Sequence, residues 1–240
     1  MFSRTYCKTG SDYSAITRRV RTLATDEDFF KKAPFGIPCK SYFLEIHPDG
    51  STVEQSYSAD IRQRLRFSVD PTPDKLPEES LLSRYFSKIF QNDEEQKELI
   101  QRAMVAAITR KGQRNLVLTG DLDASIVGSL LKKTGVPFHN DHKNIADSAL
   151  CIYRCWGDKL PKMRKRGPDY FETWRILEFP EIEGYESQFP VEFGLADRIL
   201  NEEPEVFLNW IIEGAKKHIA AGFRLPKTSN HNRIMSRWQQ

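Results

Sequence analysis

The chain has 240 residues, room for one large domain or two small ones, and 39% hydrophobic with 29% charged residues at a mean hydropathy of -0.56 argue against a disordered or membrane-embedded protein. Thirty-six Lys and Arg against thirty-three Asp and Glu leave a net charge of +3, which neither demands nor excludes a nucleic-acid partner. No apolar run approaches the roughly 20 residues of a membrane helix, and Met1 to Ser14 lacks the apolar stretch of a signal peptide, so no membrane partner and a cytoplasmic location are expected.

In chain order, Ile16, Val20 and Leu23 predict a short helix, followed by Asp26-Glu-Asp28 and the aromatic pair Phe29-Phe30. From Lys40 the period drops to two. Tyr42, Leu44 and Ile46 share one strand face, His47-Pro-Asp-Gly50 supplies the turn, and Thr52 to Gln55 returns, which makes a hairpin. Asp70-Pro-Thr-Pro-Asp74 stops any element and marks a segment boundary. Beyond it, Leu81, Leu82, Tyr85, Phe86, Ile89 and Phe90 recur at helical spacing, and Asn92 is placed to cap a second helix carrying Ile100, Met104, Ala107 and Ile108.

Asn115 to Thr119 then reads as a strand that turns at Gly120 into an apolar helical stretch from Ala124 to Leu131, and Ala149 to Tyr153 and Trp174 to Phe179 read as two more strands. Pro204 and Gly222 frame a late helix with Phe207, Leu208, Ile211, Ile212, Ala215 and Ile219 inward. Trp210 and Trp238 read as packing residues. The four cysteines, Cys7, Cys39, Cys151 and Cys155, form no C-x-x-C pair, and His139-Asn-Asp-His142 reads as a solvated loop, so no metal site or disulfide framework is predicted. The fold class is α+β to α/β, in four segments: a mixed region over 1–74, two helices over 75–112, an α/β core over 113–182 and a helical region over 183–240.

Several stretches, in order, resemble the phage and plasmid primase-helicases whose C-terminal half is a superfamily 3 helicase, a group that includes the poxvirus NTPase primase. Asp28 to Leu44 is similar to the family's segment joining an aromatic pair, an Ala-Pro, a Gly-Ile and a Gly-Phe-Leu strand, with Ser41-Tyr42 in place of Asn-Gly. Ser58 to Phe67 and Val69 to Asp74 resemble its polar turn and Asp-Pro linker, and the helices from Leu81 to Arg110 its helical collar. Arg175-Ile-Leu-Glu-Phe-Pro180, Gly194 to Leu200 and Glu205 to Gly214 resemble the strand after its sensor loop and its closing helices. The resemblance implies a P-loop-type, AAA+-like parallel sheet in reduced form, a family cofactor set of ATP and magnesium, and a role in viral, plasmid or mobile-element DNA replication.

The nucleotide site departs from that pattern. A P-loop, G-x-x-x-x-G-K-[ST], needs glycines to let backbone N–H groups wrap the phosphates, a lysine for their charge and a hydroxyl for magnesium. The matching stretch here is Gly120-Asp-Leu-Asp-Ala-Ser-Ile-Val127. Gly120 keeps the first glycine, while Ser125, Ile126 and Val127 stand at the second glycine, the lysine and the hydroxyl. Asp121 and Asp123 add charge that repels a triphosphate. Lys132 to Ser148, expected as a bare connection, cannot hold the family's acidic magnesium strand and DNA hairpin. Arg154 and Cys155 replace the polar pair of the sensor. No catalytic residue, cofactor or metal is therefore expected. The same stretch also reads as an ordinary strand-to-helix turn with Asp123 as N-cap.

Lys159, Lys162, Arg164, Lys165 and Arg166 crowd one stretch with Trp156 nearby, a pattern suited to a phosphate backbone and a stacked base as well as to a solvated loop. Arg62, Arg64 and Arg66 would share a strand face, and Arg18-Arg19 is a smaller pair. By the resemblance, Arg175 is a candidate trans-acting arginine across a subunit interface; its other reading is an edge salt bridge. The expected function is an ATPase-dead superfamily 3 relative that binds DNA non-specifically or partners an intact helicase or further copies of itself. An authentic helicase with an unusual nucleotide site and a remnant without a ligand are the alternatives.

Overall fold

The computed structural model describes residues 33–61, 67–72, 79–91, 93–112, 115–119, 129–130, 133, 138–139, 150–155, 173–179 and 194–238. The period-two run folds as the hairpin its alternation implies. Strand β2 (Phe43–Ile46) pairs antiparallel with β3 (Thr52–Gln55), with Phe43 opposite Gln55 and Ile46 opposite Thr52. The turn is closed by the Asp49 carboxylate, which accepts from the Ser51 N–H at 2.9 Å and hydroxyl at 2.7 Å. A third strand, β1 (Gly36–Pro38), joins the free side of β2. Phe43 and Leu44 point to opposite faces yet both are buried, so both sides of β2 are covered, and Tyr42, expected on the core face, is half-buried. The Asp70 boundary is anchored: its carboxylate accepts from the Ser41 N–H and hydroxyl at 2.8 and 2.7 Å, and the Asn209 amide donates to the Thr72 carbonyl at 3.0 Å.

Helix α1 (Leu81–Phe90) buries all six residues of its predicted stripe. Ser80 caps it through its hydroxyl, and the Glu203 carboxylate accepts from the Leu81 N–H at 2.8 Å, placing a negative charge at the positive end of the helix dipole. Helix α2 (Glu94–Thr109) begins one residue later than expected: the cap is Asp93, whose carboxylate accepts from the Gln96 N–H at 3.1 Å, rather than Asn92. Leu99, Ile100 and the run from Ala103 to Ile108 are buried, so α2 is enclosed almost all round. It packs against β1, against helix α4 (Pro204–Ala220), and against two strands of a second sheet.

That second sheet holds β4 (Asn115–Thr119), β5 (Phe138–His139), β6 (Leu150–Cys155) and β7 (Trp174–Glu178) in the order β5-β6-β4-β7. Every pairing is parallel. The two runs expected to pair do so, with Asn115 opposite Cys151 and Thr119 opposite Cys155. The connection from 132 to 148 is not bare, because β5 lies inside it and takes His139 out of the expected loop into an edge strand. Two hydrogen-bonded residues add pairing energy at the sheet edge without producing a readable period, which is why the sequence conceals them. The helix of Ile16 to Leu23, the Gly120 turn, most of Ala124 to Leu131 and the Arg62 to Arg66 run lie outside the described residues.

Helix α3 (Leu195–Glu202) leads into α4, where Pro204 takes the first-turn position and Gly222 follows the end, as the sequence framing predicts. Trp210 packs in the core, stacked on Phe86 at 5.1 Å. A last helix, α5 (Ser229–Trp238), covers the outer edge of β7: the Ile176 N–H donates to His231 Nδ1 at 3.3 Å, and Arg233 pairs with Glu178. One hydrophobic cluster runs from Phe35 and Ile37 through α1 and α2 to Leu116, Leu177, α4 and Leu225, so the predicted segments share a core.

Cys39 sits inside this core, with its thiol donating to the Ile37 carbonyl at 3.6 Å. Burial, helped by the Asp70 carboxylate, pushes its pKa up to about 12, so the thiolate is absent at neutral pH. Peptide mapping after iodoacetamide treatment of the native protein is expected to leave Cys39 unmodified, with full labelling in urea; native labelling at the urea rate would contradict the burial.

Candidate functional site

The carboxyl edge of the parallel sheet is where a ligand crevice is built in this type of topology. In open α/β sheets, ligands sit outside the carboxyl ends of adjacent strands whose connections leave in opposite directions. The strand order fixes that point. From β4 the chain goes outward past β6 to β5, whereas from β6 it crosses β4 to reach β7. The neighbours β4 and β6 are thus the switch point, and their last residues, Thr119 and Cys155, are register partners. The segments beginning at residues 120 and 156 therefore leave the sheet from side-by-side strand ends. Glu178, at the end of β7, is register partner to Thr119 on its other side and is engaged by Arg233.

Gly120, Ser125, Ile126 and Val127 follow the first of these strand ends, and Lys159, Lys162, Arg164, Lys165 and Arg166 follow the second; all nine lie outside the described residues, as do Asp121, Asp123 and Trp156. What the fold contributes is the common origin of two segments that are 36 residues apart between Gly120 and Trp156 in sequence. The donor set of the first segment does not fit a magnesium triphosphate, since two carboxylates and no lysine meet a ligand of the same charge. Among the described residues, no group of three or more His, Cys, Asp or Glu is arranged to hold a metal ion, and no helix is long and apolar enough to cross a membrane.

Arg175 lies elsewhere. It is the second residue of β7, register partner of Leu116, about 10 Å from the carboxyl edge at roughly 3.3 Å per residue. Its side chain is buried, and the guanidinium donates to the Leu225 carbonyl at 3.1 Å and to the Trp174 carbonyl at 2.7 Å. In this chain it therefore fastens the segment after α4 to β7 from a buried position. Sequence spacing gave no sign of this, because the acceptors are main-chain carbonyls, one of them 50 residues away.

The chain matches no protein-family model and no curated protein.

Proposed function

We propose that the chain is an ATPase-inactive relative of superfamily 3 helicases, with a reduced P-loop-type sheet, that binds a nucleic-acid backbone at the carboxyl edge of that sheet during the replication of viral, plasmid or mobile-element DNA. The observation that supports this reading is the in-register ending of β4 and β6, after which the sequence continues into Gly120 from one strand and reaches Lys159 four residues beyond the other. A glycine turn at a strand end offers backbone N–H groups, and five basic side chains on the neighbouring segment offer charge for phosphates. With Ile126 and Val127 where lysine and hydroxyl belong, the turn has lost the groups that hold and polarise a γ-phosphate. Backbone binding needs neither.

Two measurements test the reading. Isothermal titration with Mg-ATP is expected to give no heat of binding, and DNA-stimulated turnover should stay below about 0.1 per second, against a median enzyme near 10. Micromolar ATP affinity would restore the authentic-helicase alternative. Changing Lys162, Arg164, Lys165 and Arg166 together to Ser should weaken DNA binding and flatten the plot of log affinity against log salt by about 0.7–0.9 for each phosphate that is no longer neutralised. Unchanged binding would make the stretch a solvated surface.

A further inference from the structure

An outer strand edge presents unpaired N–H and C=O groups, which a covering element or blunting residues ordinarily keep from pairing. Strand β1 packs against α2 and α4, and α5 covers β7. Strand β3 closes its sheet with no strand beyond it among the described residues. Residues 51–54 and 56–60 are exposed. The stretch from Ser51 to Ser58 holds no Lys, Arg or Pro, the residues that blunt an edge, and its one charge is Glu54.

The ladder fixes which main-chain groups face outward. The His47 N–H donates to the Ser51 carbonyl at 2.9 Å, so alternation makes Glu45 with Val53 and Phe43 with Gln55 the next hydrogen-bonded pairs. The other side of β2 agrees, since the Ile46 N–H donates to the Phe35 carbonyl at 2.9 Å. Residues 51, 53 and 55 therefore turn their N–H and C=O groups to β2, while 52 and 54 turn theirs outward, as does 56 by the same alternation. Beyond Gln55 the chain stays beside the sheet, because the Tyr57 hydroxyl donates to the Cys39 carbonyl. Val53, Gln55 and Tyr57 then share one face. Val53 and Tyr57, 46% and 37% exposed, are the exposed large hydrophobic residues among those described, and they stand symmetrically about Gln55.

We propose that the β3 edge is a docking surface for a second copy of this chain, the two β3 strands pairing antiparallel about a two-fold axis at Gln55. Outward-facing residues must meet outward-facing residues, so such an axis passes through a single residue. With the axis at Gln55, Glu54 is hydrogen-bonded opposite the partner's Ser56. Val53 lies opposite the partner's Tyr57 on each side, in the close non-hydrogen-bonded positions where a β-branched and an aromatic side chain pair favourably. An axis at Glu54 would set two carboxylates against each other. An axis at Val53 would put Tyr57 opposite the partner's Asp49, in the turn. The symmetry of the apolar pair about Gln55 makes the edge complementary to itself, which is what an isologous contact requires. The proposal uses no residue of the nucleic-acid reading and does not rest on it.

Sedimentation equilibrium of the full chain from about 5 to 300 μM is expected to show the mass rising from 27.8 kDa toward twice that value, with a micromolar dissociation constant that suits a strand pair burying less than about 1,200 Å². Val53→Lys puts a hydrated charge where the apolar pair forms, yet faces Glu45 within its own sheet. Ser56→Pro removes an outward N–H and leaves the β2 ladder intact. Each should weaken dimerisation at least about tenfold. Mild oxidation locates the axis. Gln55→Cys sets two Cα atoms about 4.5 Å apart and should give a disulfide-linked dimer well above the parent's background, whereas Val53→Cys sets them about 14 Å apart and should not. A parent that stays monomeric overturns the proposal and leaves the edge to a strand of another protein. Dimerisation that survives both edge variants overturns it too, because the contact then lies elsewhere, and linkage through Val53→Cys without linkage through Gln55→Cys overturns the register.

Discussion

Replacing Gly112 by alanine is expected to destabilise the protein by about 2–5 kcal/mol, a large share of the roughly 5–15 kcal/mol that holds a typical domain. Two costs add. Gly112 has φ +82°, a left-handed conformation that costs an L-residue about 1–2 kcal/mol. A Cβ there would also stand 2.1 Å from the Phe223 carbonyl oxygen and 2.7 Å from the Phe223 Cβ. No side-chain rotation relieves a clash with backbone, so the end of α2 must part from residues 221–224. That loosens the Phe35–Phe223 edge contact at 5.0 Å and the His218 bond to Lys111. Gly50 is the control: its φ is also +82°, but a Cβ there meets nothing within 4 Å. Gly50→Ala should cost only the conformational term, about 1–2 kcal/mol. Urea midpoints of the two variants against the parent decide it, and equal losses would mean that the junction has room.

The elements that could be read from sequence are those in which one local rule decides the structure. The α1 stripe from Leu81 to Phe90 is periodic because one face is buried, and the β2–β3 hairpin is declared by alternation and a Pro-Asp-Gly turn. The missed elements break those rules. Strand β1 is three residues ending in a proline, β5 is two residues, and α5 buries the polar His231, with Thr228 buried just before it, which the sequence does not mark as inward. The second half of helix α2, from Ala103 to Ile108, carries apolar or small residues all round because the helix touches both sheets and α4, so a single face understated its burial.

The candidate site divides along the same line. The Gly120 segment and the basic stretch were visible as residues, but the adjacency of the strand ends that precede them depends on the β4–β6 pairing, which no local pattern encodes. The meeting of the C-terminal ends of α2 and α4 is likewise a tertiary fact, carried in part by one buried histidine.

That histidine sets the second large expectation, a loss of stability in mild acid. His218 is fully buried between the rings of Phe35 and Phe223, with centroids 6.5 and 5.7 Å away, and its Nε2–H donates to the Lys111 carbonyl. Its Nδ1 is buried with no hydrogen-bond partner. A proton taken up at Nδ1 would meet no acceptor and would face the Arg102 guanidinium, so burial first, and then that charge, hold the imidazole below its ordinary pKa of 6.5 against the opposing pull of the Lys111 carbonyl. The unfolded chain then binds a proton that the folded chain refuses. Stability from this group is complete above about pH 6.5 and falls as the pH drops, by at most about 1.4 kcal/mol per unit, until the folded-state pKa is reached. The carboxylates of Asp49, Asp70 and Glu95 are held below their ordinary values by hydrogen bonds from Ser51, Ser41 and Ser229, so their contributions fade only at lower pH, below about 4.5. The window from pH 7.5 to 5 thus isolates the histidine from these three. His218→Gln keeps a donor for the Lys111 carbonyl and does not titrate, so its urea stability should be nearly flat across that window while the parent declines, by at most about 2 kcal/mol. Parallel curves for parent and variant would place the acid sensitivity elsewhere and leave His218 as packing alone.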